Sequence, residues 1–334
     1  MSENHSEPSE IYREKDTDLS RLQDEHVAVI GFGSHGKAHA LNLRDSGVEV
    51  TIGLRKGSDT REEAAKNGLD VATPIKASEQ ASIIAIFVPD TIQREVYEEI
   101  KDQITAGDTL LFPHGFSIYF NQIEPEKRID TILVAPKAPG EMVRSKYKNG
   151  YGTPGVIAVH QDATGIAKKK ALAYSKAIGC TRAGVVETTF KEETVTDLFG
   201  EQALLCGGIP FLIMAAYETL VDNGYSREMA YFECLNEVYF VTQLMFEGGF
   251  DQLWSEASNT SEYGGLTRGE KIINQNLRKN LNQILDDVEQ GTFAREWLNE
   301  NQVGCPKYNN IKTIKREHDI ERVGKSVRNS FDWT

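Results

Sequence analysis

Two pairs of carboxylates define the chemistry open to this chain: Asp197 with Glu201, and Glu233 with Glu237. Each pair has i,i+4 spacing, which on a helix puts both side chains on one face, a turn apart. Their neighbours are apolar, with Leu198, Phe199, Leu204 and Leu205 around the first pair and Phe232, Leu235, Val238 and Phe240 around the second. Between Glu192 and Thr267 there are thirteen acidic residues and one basic residue, Arg227. A carboxylate taken out of water without a counter-charge either protonates or finds a cation. Protein cations are nearly absent here, so the pattern points to a hard divalent ion such as Mg²⁺, which takes oxygen ligands and keeps several waters. A solvated acidic helix face has the same spacing, and the sequence alone does not bring the two pairs together.

The elements that must carry these residues read as helices. From about Phe190 onward, apolar-periodic segments predict helices over 194–205, 210–222, 227–247 and 272–289. Breaks are expected at Gly207-Gly208, Asn223-Gly224, Gly248-Gly249 and Gly264-Gly265. The 227–247 segment is polar only at scattered positions, which suits a large core, including one shared between subunits. The basic stretch from Cys305 to Thr334 reads as an irregular surface tail.

The first half has a different rhythm. His26–Gly31 is a strand of β-branched and small residues that runs into Gly31-Phe32-Gly33-Ser34-His35-Gly36 and then a helical pattern. Strand before and helix after is the context in which GxGxxG means dinucleotide binding, with the pyrophosphate at the helix N-terminus. After the second strand, 48–54, an NAD-type site would place an acid; this chain has Arg55-Lys56-Gly57-Ser58-Asp59-Thr60. Arg55 with the hydroxyls of Ser58 and Thr60 suits a 2′-phosphate, so NADP(H) is expected, with Asp59 as the dissenting charge. Further strands at 83–88, 109–112, 131–136 and 155–159, separated by helical patterns, predict a parallel doubly wound sheet. Ligands bind at the C-terminal ends of its strands. There lie Asp90, His114 and Lys137, the last two as candidates for the nicotinamide end or the substrate.

Composition narrows the class. A chain of 334 residues is long enough for two cores, and 37 basic against 50 acidic residues, net −13, disfavours nucleic acid or an anionic membrane as partner. Four dispersed cysteines without CxxC spacing read as reduced thiols. No uninterrupted apolar run is long enough for a membrane span, and the polar N-terminus lacks a signal pattern, so a cytoplasmic enzyme is expected. The expected organisation is a disordered tail over 1–10, an α/β Rossmann-type domain over 11–188, and an all-α domain over 189–334.

The chain resembles the short-form (class I) ketol-acid reductoisomerases. The resemblance rests on GFGSHGKAHALNLRDSG, GLRKGS, PHGF, APKAPG, VHQDATG, ETTFKEETVTDLFGEQALLCGG, AYFECLNE, SNTSEYG and FAREWLNENQ. It implies an N-terminal Rossmann domain and a knotted, dimerising helical domain. It implies two Mg²⁺ ions per active site, held by Asp197 and Glu201 of one subunit and Glu233 and Glu237 of its partner. It further implies NADPH at Gly31, Phe32, Gly33, Ser34, His35, Gly36, Arg55, Ser58, Thr60, Asp90 and Gly140. Ser258 would hold the substrate carboxylate, with Lys137, His114 and Glu201 as the catalytic groups. The implied reaction is alkyl migration in a 2-acetolactate-type acetohydroxy acid, then NADPH reduction to a 2,3-dihydroxy acid, on the way to valine and isoleucine. The partners implied are that small molecule and a second copy of the chain, in a dimer open to further assembly.

Several residues depart from the family pattern near the implied pocket: Asn236, Ala257, Pro210, Phe211 and Glu141, with His35, Lys37 and Thr91 in the cofactor half. They keep open an alternative, a paralogous NADP-dependent 2-keto-acid reductase or isomeroreductase acting on a related substrate.

Overall fold

A computed structural model describes residues 10–331, and all statements of structure refer to these. The tail expected over 1–10 lies outside them except for Glu10. The chain divides into two compact units, 1–194 and 195–334.

The first unit is built on one sheet. Its strands are β1 (Ile11–Tyr12), β2 (His26–Ile30), β3 (Glu49–Gly53), β4 (Asp70–Ala72), β5 (Ile83–Ile86), β6 (Thr109–Phe112), β7 (Asp130–Pro136), β8 (Gly155–Gln161) and β9 (Val185–Glu187). They lie in the order β1-β9-β8-β7-β6-β5-β2-β3-β4. The connecting helices are α1 (Ser34–Asp45), α2 (Arg61–Lys66), α3 (Pro74–Glu79), α4 (Asp90–Ile100), α5 (Phe116–Tyr119), α6 (Gly140–Lys148) and α7 (Ala167–Ala177). Both faces of the sheet are covered, because successive side chains of a strand point to opposite sides. Along β2, Val27 and Val29 join one core with Leu41, Leu43 and Tyr174, whereas Ala28 and Ile30 join another with Ala77, Tyr97 and Ile100.

The expected parallel doubly wound sheet is present with one correction. β8 runs antiparallel to β7, and β1 antiparallel to β9. The apolar run of β8 has the same composition in either direction. The chain re-enters the sheet beside the end of β7 that it left, with Pro136 paired to Gly155, and so runs back along it.

Beneath the sheet a buried ion pair replaces apolar packing. Lys170 Nζ lies 3.0 Å from Asp130 Oδ2, 2.9 Å from Thr109 Oγ1 and 3.1 Å from the Gly107 carbonyl. Asp130 also accepts from the backbone of Ala163 and Thr164 and from the Thr164 hydroxyl. Burial alone raises its pKa, but the Thr164 and Lys170 hydrogen bonds outweigh this and hold the carboxyl below its ordinary value. A depressed carboxylate stabilises the fold above its unfolded pKa and loses that contribution as pH falls through the folded value. Asp130→Asn strands a buried ammonium and is expected to cost about 3–5 kcal/mol at pH 7. Urea melts should show the gap between variant and wild type closing below about pH 4.

The second unit is helical. α8 (Phe190–Gly200) enters it and continues as a π-turn over Glu201–Leu205. Then follow α9 (Gly208–Asp222), α10 (Arg227–Tyr231), a second π-turn over Phe232–Asn236, α11 (Val238–Glu256), α12 (Asn259–Ile272), α13 (Gln275–Glu289), α14 (Thr292–Gln302), α15 (Pro306–Arg316) and α16 (Asp319–Ser330). The break expected at Gly248-Gly249 is a kink inside α11, with Gly249 at φ +75°. Gly264 and Gly265 break nothing and lie within α12, a helix the sequence did not signal.

The expected irregular tail is instead two helices. Pro306 opens α15, and in α16 Ile320, Val323 and Val327 fall at helical spacing into a core with Tyr217, Ala230 and Tyr231. Its basic residues masked that period.

Many large apolar side chains of this unit remain exposed in the single chain, among them Leu205, Phe211, Tyr239, Phe240, Phe246 (91%) and Phe250. The helical stretch 190–222 is long and apolar enough to cross a membrane by length and composition.

Candidate functional site

The glycine loop lies where the sheet changes winding direction. β2 has β3 on one side and β5 on the other, which is the switch point of a doubly wound sheet. Gly31 has φ +111°, and a Cβ there would meet the Phe87 carbonyl carbon at 2.9 Å. A Cβ on Gly36 would lie 2.6 Å from the Gly31 oxygen. Gly33, by contrast, has open space beside it, as backbone approached by a phosphate requires. It caps α1 without a side-chain hydrogen bond, so the first N–H groups of that helix receive no side-chain cap. Phe32 is buried, while Gly33 and Ser34 are exposed and His35 is half-buried. Gly140, at the start of α6, sits against the same loop: a Cβ there would lie 2.4 Å from the Ser34 oxygen.

Gly36→Ala is therefore expected to push α1 off the loop. Overpacking of this kind costs about 1–3 kcal/mol, to be read as a lower Tm together with weakened NADPH binding by fluorescence titration.

At the end of β3, the side chains of Arg55 and Lys56 are exposed and engage no acid among the described residues. Ser58 Oγ and Thr60 Oγ1 lie 3.1 Å apart in the same turn. Arg61, although adjacent, is committed to the backbone, donating to the carbonyls of Leu54 at 2.6 Å and Ala72 at 3.1 Å. Asp59 is exposed. Asp90, the first residue of α4, accepts from Gln93 Nε2 at 3.1 Å.

The strand-end pair His114 and Lys137 converge on a residue absent from the sequence-based candidates. Glu193, on α8, is buried and accepts from Lys137 Nζ at 2.9 Å and from the Gly115 N–H at 3.0 Å, with His114 Nδ1 also 3.0 Å away. Burial raises its pKa, but the hydrogen bonds and charges of His114 and Lys137 overcome this, leaving it a carboxylate below its ordinary value. Two local features place it. Phe190 anchors the start of α8 edge-on to Phe112 and His160. Gly115 lets the β6 loop pass, since a Cβ there would lie 2.3 Å from Thr194 Oγ1. Nothing local marks Glu193 out: in ETTFKEETV it follows Glu192 directly and is one of several acids in a polar segment.

Asp197 and Glu201 follow Glu193 at i+4 and i+8 on one helix, so the three share a face. Asp197 is half-buried and Glu201 exposed. Glu233 and Glu237 are both exposed and pair with no cation among the described residues. The burial used to argue for a metal is therefore not found within one chain, where the flanking Leu204, Leu205 and Phe240 are exposed as well. Both pairs coincide with π-turns: Cys206 N–H reaches back to the Glu201 carbonyl, and Glu237 N–H to that of Phe232. Such single widened turns inside α-helices concentrate at functional sites. Ser258 is exposed and caps α12, its Oγ accepting from the Ser261 N–H at 3.2 Å and lying 3.0 Å from Ser261 Oγ. Ala257, half-buried in extended conformation, precedes it.

Comparison with known proteins agrees with this layout. The acetohydroxy acid isomeroreductase NADPH-binding domain matches residues 21–184, and the ketol-acid reductoisomerase C-terminal domain matches 190–333. A ketol-acid reductoisomerase (NADP(+)) of Haloarcula marismortui is 54% identical over 97% of this chain and 93% of its own length. The structure of an NADH-preferring ketol-acid reductoisomerase from an uncultured archaeon superposes with a TM-score of 0.93 at 41% identity, covering 96% of this chain and 99% of that one. A semialdehyde dehydrogenase NAD-binding protein from Cupriavidus necator, at 17% identity and TM-score 0.62 over 80% of this chain and 99% of its own, shares the fold alone. With both family domains matched end to end, the chain belongs to the ketol-acid reductoisomerases, NADP-dependent oxidoreductases with isomerase activity in branched-chain amino acid biosynthesis.

Proposed function

We propose that this chain converts 2-acetolactate-type acetohydroxy acids to 2,3-dihydroxy acids with NADPH and two Mg²⁺ ions, in a homodimer whose active sites take residues from both subunits. The observation that carries the reading is the carboxylate succession along α8 and into the π-turn that continues it. Glu193 binds His114 and Lys137, and Asp197 and Glu201 follow on the same helix face.

The residues suit the metal ions and cofactor that the family implies. Asp197, Glu201, Glu233 and Glu237 are an all-oxygen donor set, and four carboxylates match the charge of two dications. Bound there, Mg²⁺ would supply Lewis-acid polarisation of the substrate hydroxyl and keto oxygens, and NADPH the hydride.

The chain's own residues do the rest. Glu193 holds the Lys137 ammonium and the His114 ring, and Lys137 Nζ would give or take a proton at a substrate oxygen. Glu201 shares that proton handling. Ser258 Oγ accepts from the Ser261 N–H and shares a hydrogen bond with Ser261 Oγ; with Ser261 as the donor in that pair, the Ser258 hydroxyl would donate to a substrate carboxylate. The start of α12 also favours an anion there. The exposed apolar side chains of α9 and α11 form the face that a second copy covers. Arg55, Ser58 and Thr60 take the 2′-phosphate. The departures at Asn236, Ala257, Pro210, Phe211 and Glu141 bear on which acetohydroxy acid is preferred.

The test is NADPH consumption with 2-acetolactate, with and without Mg²⁺, beside 3-hydroxy-3-methyl-2-oxobutanoate, which bypasses migration. Turnover of both in Mg²⁺ is expected; turnover of only the second would reject the isomerase step. Arg55→Ala should raise the KM for NADPH about 10- to 100-fold, the loss of a charge-assisted hydrogen bond. The KM for NADH should barely move.

A further inference from the structure

The loop that reads the cofactor 2′-phosphate is strapped to the phosphate-binding helix by side chains that touch neither site. α2 starts where the 55–60 loop ends, and Glu63 is its third residue. Across from it, Lys37 lies in the first turns of α1, four residues beyond Gly33. Lys37 Nζ and Glu63 Oε1 are 2.5 Å apart, both partly exposed. At the far ends of the same helices, the Arg44 guanidinium of α1 donates to the Asn67 carbonyl at the α2 C-terminus. The two helices are thus tied at both ends. Arg61 meanwhile pins the base of the loop to the carbonyls of Leu54 and Ala72. Of these ties, only Lys37–Glu63 joins the loop's own helix to the glycine-loop end of α1. Strands β2 and β3 are parallel neighbours, so the loops leaving their C-terminal ends flank the place where a Rossmann fold receives the adenosine ribose.

We propose that Lys37 and Glu63 are positioning residues for cofactor selection: their ion pair holds the Arg55–Thr60 loop closed on the adenosine end, so that Arg55, Ser58 and Thr60 are prearranged for a 2′-phosphate. The proposal rests on those three residues binding that phosphate. An unstrapped loop must be ordered when the cofactor binds, and that cost falls on the ligand that uses the loop most, the phosphorylated one. NADH, which lacks the 2′-phosphate, loses little.

The experiment measures KM and kcat for NADPH and for NADH in the dimeric, Mg²⁺-loaded enzyme. The variants are Lys37→Met, Glu63→Gln, the charge-swapped double Lys37→Glu/Glu63→Lys, and Arg55→Ala. Each single strap variant is expected to raise the KM for NADPH about two- to fivefold, the range of an exposed ion pair. Its kcat and its KM for NADH should be unchanged, and the double variant should recover the wild-type KM. A merely structural pair would move both cofactors together.

Two further results would overturn the strap. One is an unchanged KM for NADPH in both single variants. The other is weaker NADPH binding in Lys37→Met with tighter binding in Glu63→Gln, which would make Lys37 a direct phosphate ligand held back by Glu63. If Arg55→Ala leaves cofactor preference intact, the assignment of the loop itself fails, and that outcome is separate from both.

Discussion

Glu201→Gln is expected to lower kcat for 2-acetolactate by about 10³-fold or more, with the affinity for NADPH nearly unchanged. Glu201 is assigned two tasks, binding metal and handling a proton. Removing Lewis-acid stabilisation of a developing alkoxide costs several kcal/mol of barrier, each 1.36 kcal/mol being a factor of ten. The proposed cofactor cradle consists of the glycine loop and the 55–60 loop, and Glu201 is not assigned to it. Stopped-flow turnover and a separate NADPH titration check the two halves of the statement. An active variant would remove Glu201 from the machinery, and loss of NADPH binding would mean the substitution acts through folding.

Glu193→Ala should produce the largest combined loss. The carboxylate is 1% exposed and is the common partner of His114, Lys137 and the Gly115 N–H. Deleting one member of a buried pair costs about 3–5 kcal/mol; Lys137 is 37% exposed, so solvent recovers part of this and about 2–3 kcal/mol is expected. Turnover should fall by two orders of magnitude or more, because the two groups proposed to act on the substrate lose their fixed positions. Glu193→Gln keeps the shape and an acceptor for Gly115 but removes the charge. It should recover most of the Tm and little of the kcat. Because the folded pKa of Glu193 lies below its ordinary value, its contribution is full above about pH 4.3 and is lost on further acidification. Wild type should therefore lose stability faster than Glu193→Gln below that pH.

What was legible in the sequence follows from how local each signal is. The β2 strand and its glycine loop were readable because their geometry is decided within about ten residues, by β-branched side chains and by positions that reject a Cβ. The direction of β8 was not, since strand composition is the same both ways. The carboxylate pairs were visible as spacing, but not their π-turns, which depend on which carbonyl each N–H selects. Glu193 was hidden for the opposite reason. It sits 79 residues from His114 and 56 from Lys137, so its partners exist only after the sheet is assembled. Locally it is one more acid among Glu192, Asp197 and Glu201. In α16 the buried residues kept helical spacing, and Arg322, Lys325 and Arg328 between them gave the segment the look of a solvated tail.

The central claim is that the two carboxylate pairs act as one metal site. Titration of Mn²⁺ into the purified protein, followed by electron paramagnetic resonance, tests it in a single measurement. Wild type should bind two ions per active site. Asp197→Asn and Glu233→Gln should each lose tight binding, although the two residues lie on different helices. Unchanged stoichiometry and affinity in either variant would contradict the account.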